Sequence, residues 1–271
     1  KKEQKLCMGC GKAKMHKHPH DRNRENRRQA TKAGTHFHLD TVEMPILSID
    51  KKKYVCTIYD EGAKAIHIAL TRTKDKEAKA VTKILERIQL QQGYPIKQVR
   101  TDGGKEFYAV RKWCERRRVR FELSCAYEPE QNGRAENCNK IVLQGAESCR
   151  LAANLPRKYW SYACRYFCYT YNRTPNKSEP NDIYDFPLER MSARKLNWKE
   201  IVNWLKPFGC MAIVHVPKEL RKHTHLEEKG LSGIFLGYTE DKKGYIVMLL
   251  KTGKILDGVY NVTFDESNFP L

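Results

Sequence analysis

The sequence predicts an α/β domain built on a mixed sheet, followed by a small all-β module. Three observations carry that reading. Between His36 and Ala152, short apolar strands and amphipathic helices follow the order β-β-β-α-β-α-β-α. Three acidic residues, Asp40, Asp102 and Glu136, fall on the first strand, just after the fourth, and at a helix start after the fifth. From Pro207 onward, five short strands with glycine turns are packed into fewer than 60 residues, the pattern of a small β-barrel or sheet.

Each element has its own warrant. His36–Val42 alternates as a strand, and Tyr54–Tyr59 and Ala65–Leu70 are apolar strands split by the turn Asp60-Glu61-Gly62. A helix follows, with Asp75 as its expected N-cap. Ala78, Val81, Leu85 and Ile88 form one apolar face, and Gly93 and Pro95 end it. Ile96–Thr101 is a strand delivering Asp102, Phe107–Arg118 a helix, Val119–Ser124 a strand, and about Ala135–Ala152 another helix. Leu155-Pro156 opens a further helix to about Tyr171, rich in Tyr159, Trp160, Tyr162, Tyr166, Phe167 and Tyr169. Aromatics at helical spacing are read as core or subunit-interface residues in preference to a base-stacking platform. The expected strands of the last module are Met211–Val216, Gly233–Tyr238, Tyr245–Leu250, Lys254–Leu256 and Val259–Phe264. The domain reading is a basic arm over 1–35, an α/β core over 36–175, a linker over 176–206, and a β-rich module over 207–271.

Composition narrows the partner. Net charge is +19, from 51 basic against 32 acidic residues, with pI near 9.5. Such a balance favours a polyanion. No run approaches the 18 or so apolar residues of a membrane-spanning helix, so nucleic acid is favoured over a membrane. The chain begins at Lys1 and shows no signal peptide, and is read as a segment of something longer. Of ten cysteines, Cys56, Cys114, Cys164, Cys168 and Cys210 lie singly in apolar patterns, as buried reduced thiols do.

The chemistry rests on the carboxylates. Any one of them alone is most simply a surface residue or a helix cap. Three brought together in one fold form a site for two divalent cations, and two such ions drive in-line attack at a phosphodiester. With the basic balance, this points to cutting or joining of DNA strands. Gly133, before the last core helix, permits close approach of backbone to a phosphate, and is equally read as an ordinary loop glycine. Glu106 is a possible fourth acidic neighbour, more simply a residue that orients a partner. Asp60 is read as a turn residue. Arg116, Arg117 and Arg118, and Asn132, Arg134 and Lys140 around the helix of Glu136, are candidate DNA contacts. Solvated surface charge is the plain alternative for each.

Asp40, Arg100-Thr101-Asp102-Gly103-Gly104-Lys105-Glu106-Phe107 and Pro129-Glu130-Gln131-Asn132-Gly133-Arg134-Ala135-Glu136 resemble the D,D,E integrase core of Copia-type (Pseudoviridae) LTR retrotransposons. Leu155-Pro156 and Tyr171-Asn172-Arg173-Thr174-Pro175 extend the resemblance. So do Pro207-Phe208-Gly209-Cys210, His215-Val216-Pro217-Lys218, Gly233-Ile234-Phe235-Leu236-Gly237-Tyr238 and Val262-Thr263-Phe264-Asp265-Glu266. It covers nearly the whole chain. There are departures: Gly103 stands where the family usually has asparagine, and the interval from Asp102 to Glu136 is shorter by two residues than is usual.

The resemblance implies an RNase H-like core of the retroviral integrase superfamily, with Asp40, Asp102 and Glu136 as catalytic metal ligands for two Mg²⁺ or Mn²⁺ ions. It implies 3′-end processing and strand transfer of element DNA into target DNA, as a homo-multimer in the nucleus, with a cytoplasmic particle stage. A domesticated or decayed copy that binds DNA without cutting it is the alternative. Cys7 and Cys10 have zinc-ligand spacing and match the cysteine half of the family's N-terminal His-His-Cys-Cys module. The histidine half would lie before Lys1, so the Zn²⁺ site is read as incomplete. His16, His18 and His20 are read as part of a solvated basic arm.

Overall fold

The structure is a computed structural model, and it describes residues 32–93, 95–123, 133–176, 185–217, 229–240 and 242–271. Strands β1 (His36–Glu43), β2 (Tyr54–Asp60) and β3 (Ala65–Thr71) form an antiparallel meander. Strands β4 (Gln98–Thr101) and β5 (Arg120–Leu123) lie on the other side of β1, parallel to it, giving the order β3-β2-β1-β4-β5. The helices are α1 (Glu77–Gln92), α2 (Tyr108–Arg116), α3 (Gly133–Ala152) and α4 (Trp160–Tyr171).

Side-chain alternation sorts the two faces of the sheet. Phe37 and Leu39, Cys56 and Ile58, and Val99 pack against Val81, Leu85 and Ile88 of α1 and Trp113 of α2. Val55 and Ile66, on the opposite face, pack against α3 and α4 through Val142, Ala146, Ala163 and Cys164. The core is therefore a helix–sheet–helix sandwich. Helices α3 and α4 meet closely at Gly145, where a Cβ would lie only 2.0 Å from the Phe167 ring.

The apolar face expected for α1 is the one buried, and Gly93 closes the helix in the left-handed region at φ 71°. Its start differs from expectation. Asp75 does not cap it; Lys74–Lys76 form a 3₁₀ turn, and Glu77 opens the helix fully buried. Similar 3₁₀ turns, Lys105–Phe107 and Arg157–Tyr159, precede α2 and α4.

The segment read as a linker carries two short helices, α5 (Pro187–Ser192) and α6 (Trp198–Trp204). Glu189 explains the first: it is 1% exposed and accepts backbone N–H groups from Asp185, Phe186 and Leu196. A polar, proline-bearing stretch is thus folded around one buried carboxylate instead of an apolar face.

The second module is an antiparallel sheet in the order β10-β6-β7-β8-β9, from β6 (Met211–His215), β7 (Gly230–Tyr238), β8 (Tyr245–Leu249), β9 (Ile255–Val259) and β10 (Val262–Asp265). Ile234, Leu236, Ile246 and Met248 join the same apolar cluster as α3 and α4. Helix α4 is accordingly a shared wall: Trp160 and Tyr162 are buried, and Tyr166, Phe167 and Tyr169 are partly buried against the clusters on either side. Tyr166 and Tyr169 stack on Tyr238, with ring centroids 6.2 and 4.0 Å apart. All seven described cysteines are unpaired, and six of them are buried. Among the described residues no helix is long and apolar enough to cross a membrane.

Candidate active site

Parallel pairing of β1 with β4 sets His38 opposite Arg100. Asp40 lies two residues further along β1, and Asp102 immediately follows β4, so continuing that register by two residues brings the two onto neighbouring strand positions. Asp40 lies on the α3 face of β1, because its neighbours Leu39 and Val99 face α1. Glu136 occupies the first turn of α3, where a carboxylate is favoured by the helix dipole. Asp102 and Glu136 are exposed, and Asp40 is partly buried.

Asp40 carries the electrostatic signal of the site. Burial pushes the Asp40 carboxyl up to about 6, and the like charges of Asp102 and Glu136 push the same way. Hydrogen bonds from the Thr41 backbone N–H at 2.9 Å and from Asn139 Nδ2 at 2.7 Å oppose that rise. Asn139 is itself aligned by Thr57 Oγ1, which donates to its Oδ1 at 2.7 Å. The relay Thr57–Asn139–Asp40 links β2, α3 and β1. Asn139 was not singled out from sequence, although it follows Glu136 by three residues and so shares its helix face.

A second tether fixes the start of α3. Arg134 forms an ion pair with Glu61, in the turn after β2, and Glu61 also meets His38 Nε2 at 3.0 Å. Burial, then the charges of Arg100 and Arg134, lower His38 to about 4. It is therefore neutral at pH 7 and donates to the Glu61 carboxylate. Arg134, a candidate DNA contact by sequence, is thus engaged within the protein. Lys140 is exposed one turn beyond Glu136 on the same helix face.

The arginine triplet lies at the far end of α2 from Asp102. Arg117 pairs with Glu86 at 2.7 Å and stacks on Trp113, while Arg116 and Arg118 are exposed. Glu106 lies 3.6 Å from Lys74; burial raises the pKa of Glu77, and the charge of Glu106 adds to that rise. Thr41 donates to Glu77, so the residue after Asp40 is pinned from below. Asp60 is a buried turn anchor, accepting N–H groups from Gly34, Gly62 and Ala63. Cys7, Cys10 and Asn132 lie outside the described residues.

Among the described residues no three His, Cys, Asp or Glu side chains already enclose a metal position. The donor set nonetheless fits a hard divalent cation. It is all oxygen, it is anionic, and Asp40 is held at about 6 in part by repulsion that a cation would relieve.

Residues 30–129 match the family described as integrase core domain, and residues 210–271 match the retroviral polymerase SH3-like domain. An integrase core domain thus accounts for residues 30–129, and a retroviral SH3-like domain for residues 210–271, which hold the second sheet. The mixed sheet in the order β3-β2-β1-β4-β5, with helices on both faces, is the α/β architecture expected from the sequence. The chain is 30% identical over 204 residues to a retrovirus-related Pol polyprotein from transposon TNT 1-94 of Nicotiana tabacum, covering 74% of this chain and 15% of that one. It is 25% identical to that from transposon RE2 of Arabidopsis thaliana, over 97% of this chain and 17% of that protein. The chain therefore spans less than a fifth of the length of these relatives. A solved structure, the HTLV-2 integrase catalytic core domain in complex with magnesium (trimeric form), aligns with TM-score 0.43 and 16% identity, covering 59% of this chain and 97% of that one.

Proposed function

We propose that this chain is the integrase region of a Copia-type retrotransposon Pol polyprotein, and that it performs metal-dependent 3′-end processing and strand transfer of element DNA into target DNA. The observation that supports the proposal is that Asp40, in the first strand, is raised by burial and also by the like charges of Asp102 and Glu136. These three residues would hold two Mg²⁺ or Mn²⁺ ions. Bound there, divalent cations supply activation of an attacking hydroxyl and stabilisation of the leaving oxygen.

The rest of the machinery belongs to the chain. Thr41 and Asn139 fix the plane of the Asp40 carboxylate. The Arg134–Glu61 pair holds the helix turn that carries Glu136. Lys140, exposed on that face, meets backbone phosphate, which positions DNA without reading its sequence. Net charge of +19 favours both the element ends and the target as partners. The working form is a homo-multimer in the nucleus, since two DNA ends must be joined together.

The test is joining of a labelled blunt duplex to plasmid in Mg²⁺ or Mn²⁺, with Asp102→Asn as comparison. Joining that disappears in the variant supports the proposal. Tight duplex binding with no joining in either protein would sink the enzymatic reading and leave a protein that holds DNA.

A further inference from the structure

A pocket of about 240 Å³ opens away from the three carboxylates, where edge strand β3 meets α1, α4 and β7. Its polar lining includes His67, Arg87, Gln91, Arg165, Arg173 and Glu240. Three guanidinium groups thus face one carboxylate. Arg87 lies 3.6 Å from Glu240, whose side chain is 60% exposed at the mouth, and Arg165 lies 3.1 Å from Asp50. Arg173 has no carboxylate partner among the described residues. Its guanidinium stacks 3.4 Å above the Tyr169 ring and donates from Nη1 to the Tyr169 carbonyl at 3.0 Å. Burial holds its pKa below the ordinary arginine value. His67 lines the same pocket, and its Nε2 is buried with no hydrogen-bond partner; burial, then the charge of Arg87, lowers its pKa to about 4, so the ring is neutral and can offer a single N–H.

A desolvated guanidinium without an anion, lining one pocket with an orphaned ring nitrogen, is costly unless something supplies the missing acceptors. The place is built, not accidental. Asn172, the residue before Arg173, takes the Ile66 backbone N–H at 2.9 Å and gives its own amide to the Ile66 carbonyl at 2.8 Å. It thereby acts as a short false strand along the open edge of β3, and it sets Arg173 facing the pocket. The cationic lining continues past Tyr238 into a groove of about 620 Å³ that shares Arg173 and adds Lys242 and Lys243, with Glu200 as its carboxylate.

We infer that this junction pocket is a phosphate-binding site, in which Arg173 and His67 take the oxygens of a phosphate group and the flanking cations hold its neighbours. A planar guanidinium matches phosphate oxygens in a two-point fork. The group comes either from the backbone of a DNA strand lying along the groove or from a free diphosphate. The inference goes beyond the proposed reaction and stands without it, because neither Asp102 nor any divalent cation takes part.

The experiment is calorimetric titration of the full chain with inorganic pyrophosphate in EDTA, run on wild type, Arg173→Gln and Gln91→Glu. Gln91 is exposed on the pocket wall, so its substitution adds an anion to the rim without disturbing buried groups. Pyrophosphate should bind wild type, at least about tenfold more weakly to Arg173→Gln, and several-fold more weakly to Gln91→Glu. The ¹⁵N resonance of the His67 imidazole should shift on saturation. The second arm repeats the comparison with a short duplex across a salt series. If Arg173→Gln lowers the slope of log affinity against log salt by about one, the phosphate is that of DNA. If pyrophosphate binding falls while the duplex isotherm is unchanged, the ligand is the free anion. No pyrophosphate binding to wild type, or equal binding to all three folded proteins with an unmoved His67 signal, overturns the site.

Discussion

At the scale of single residues, Asp40 is the informative one. Its carboxyl sits at about 6 against an ordinary 3.8. The folded state keeps the proton longer than the unfolded chain does. Its contribution to stability is therefore present below pH 4 and is lost as pH rises toward 6. Asp102→Asn removes one of the like charges responsible. In EDTA the variant should be more stable than wild type by about 0.5 kcal/mol above pH 6, the gap closing below pH 4. Thermal melts across pH check this, and a carboxyl ¹³C titration of Asp40 should move down. An unmoved titration would show that Asp102 does not face it. Asn139 makes a second prediction. Asn139→Ala frees Asp40 from Thr57 and should cost about 10- to 100-fold in strand transfer, the range for outer-shell partners of metal ligands. It should also raise the Mg²⁺ concentration needed for half-maximal rate, a shift that simple destabilisation would not produce.

At the scale of elements, the strands and the apolar face of α1 were readable because burial imposes period and spacing. Phe37 and Leu39, or Val81, Leu85 and Ile88, announce their sides without help. What escaped was organised by polar groups. Asp75 looked like a cap, but Glu77 is the acidic residue taken inside. The segment 176–206 looked like a linker because its organiser, Glu189, is a charged residue that reads as solvated until three backbone N–H groups are seen to converge on it. The three carboxylates of the candidate site are proposed from motif and order. The Asn139 relay and the Arg134–Glu61 tether were not readable, since both depend on which turn of α3 meets which strand. Asn172 belongs to this class too. Asn172→Ala leaves the Ile66 N–H and C=O of a buried strand edge without partners, and should destabilise the fold by about 2–4 kcal/mol. Denaturant melts measure it, and a loss under 1 kcal/mol would mean that water replaces the side chain.

At the scale of the whole molecule, charge and the shared helix wall dominate. With +19 overall, duplex affinity should fall steeply with salt, log affinity declining linearly with log salt at a slope near 0.9 per phosphate neutralised. A flat salt response would remove DNA as the partner. Packing of Tyr166 and Tyr169 against Phe235 and Tyr238 makes the two sheets faces of one body. Heating should then give one cooperative transition, monitored alike by near-ultraviolet dichroism and by Trp204 fluorescence; two separated transitions would contradict it. The same wall carries a message about descent. A first module whose outer helix presents tyrosines to its neighbour cannot be cut free and spliced onto a different second module without exposing an oily seam. Recombination between related chains should therefore inherit these two parts as a pair, with crossovers in the stretch that joins them selected against.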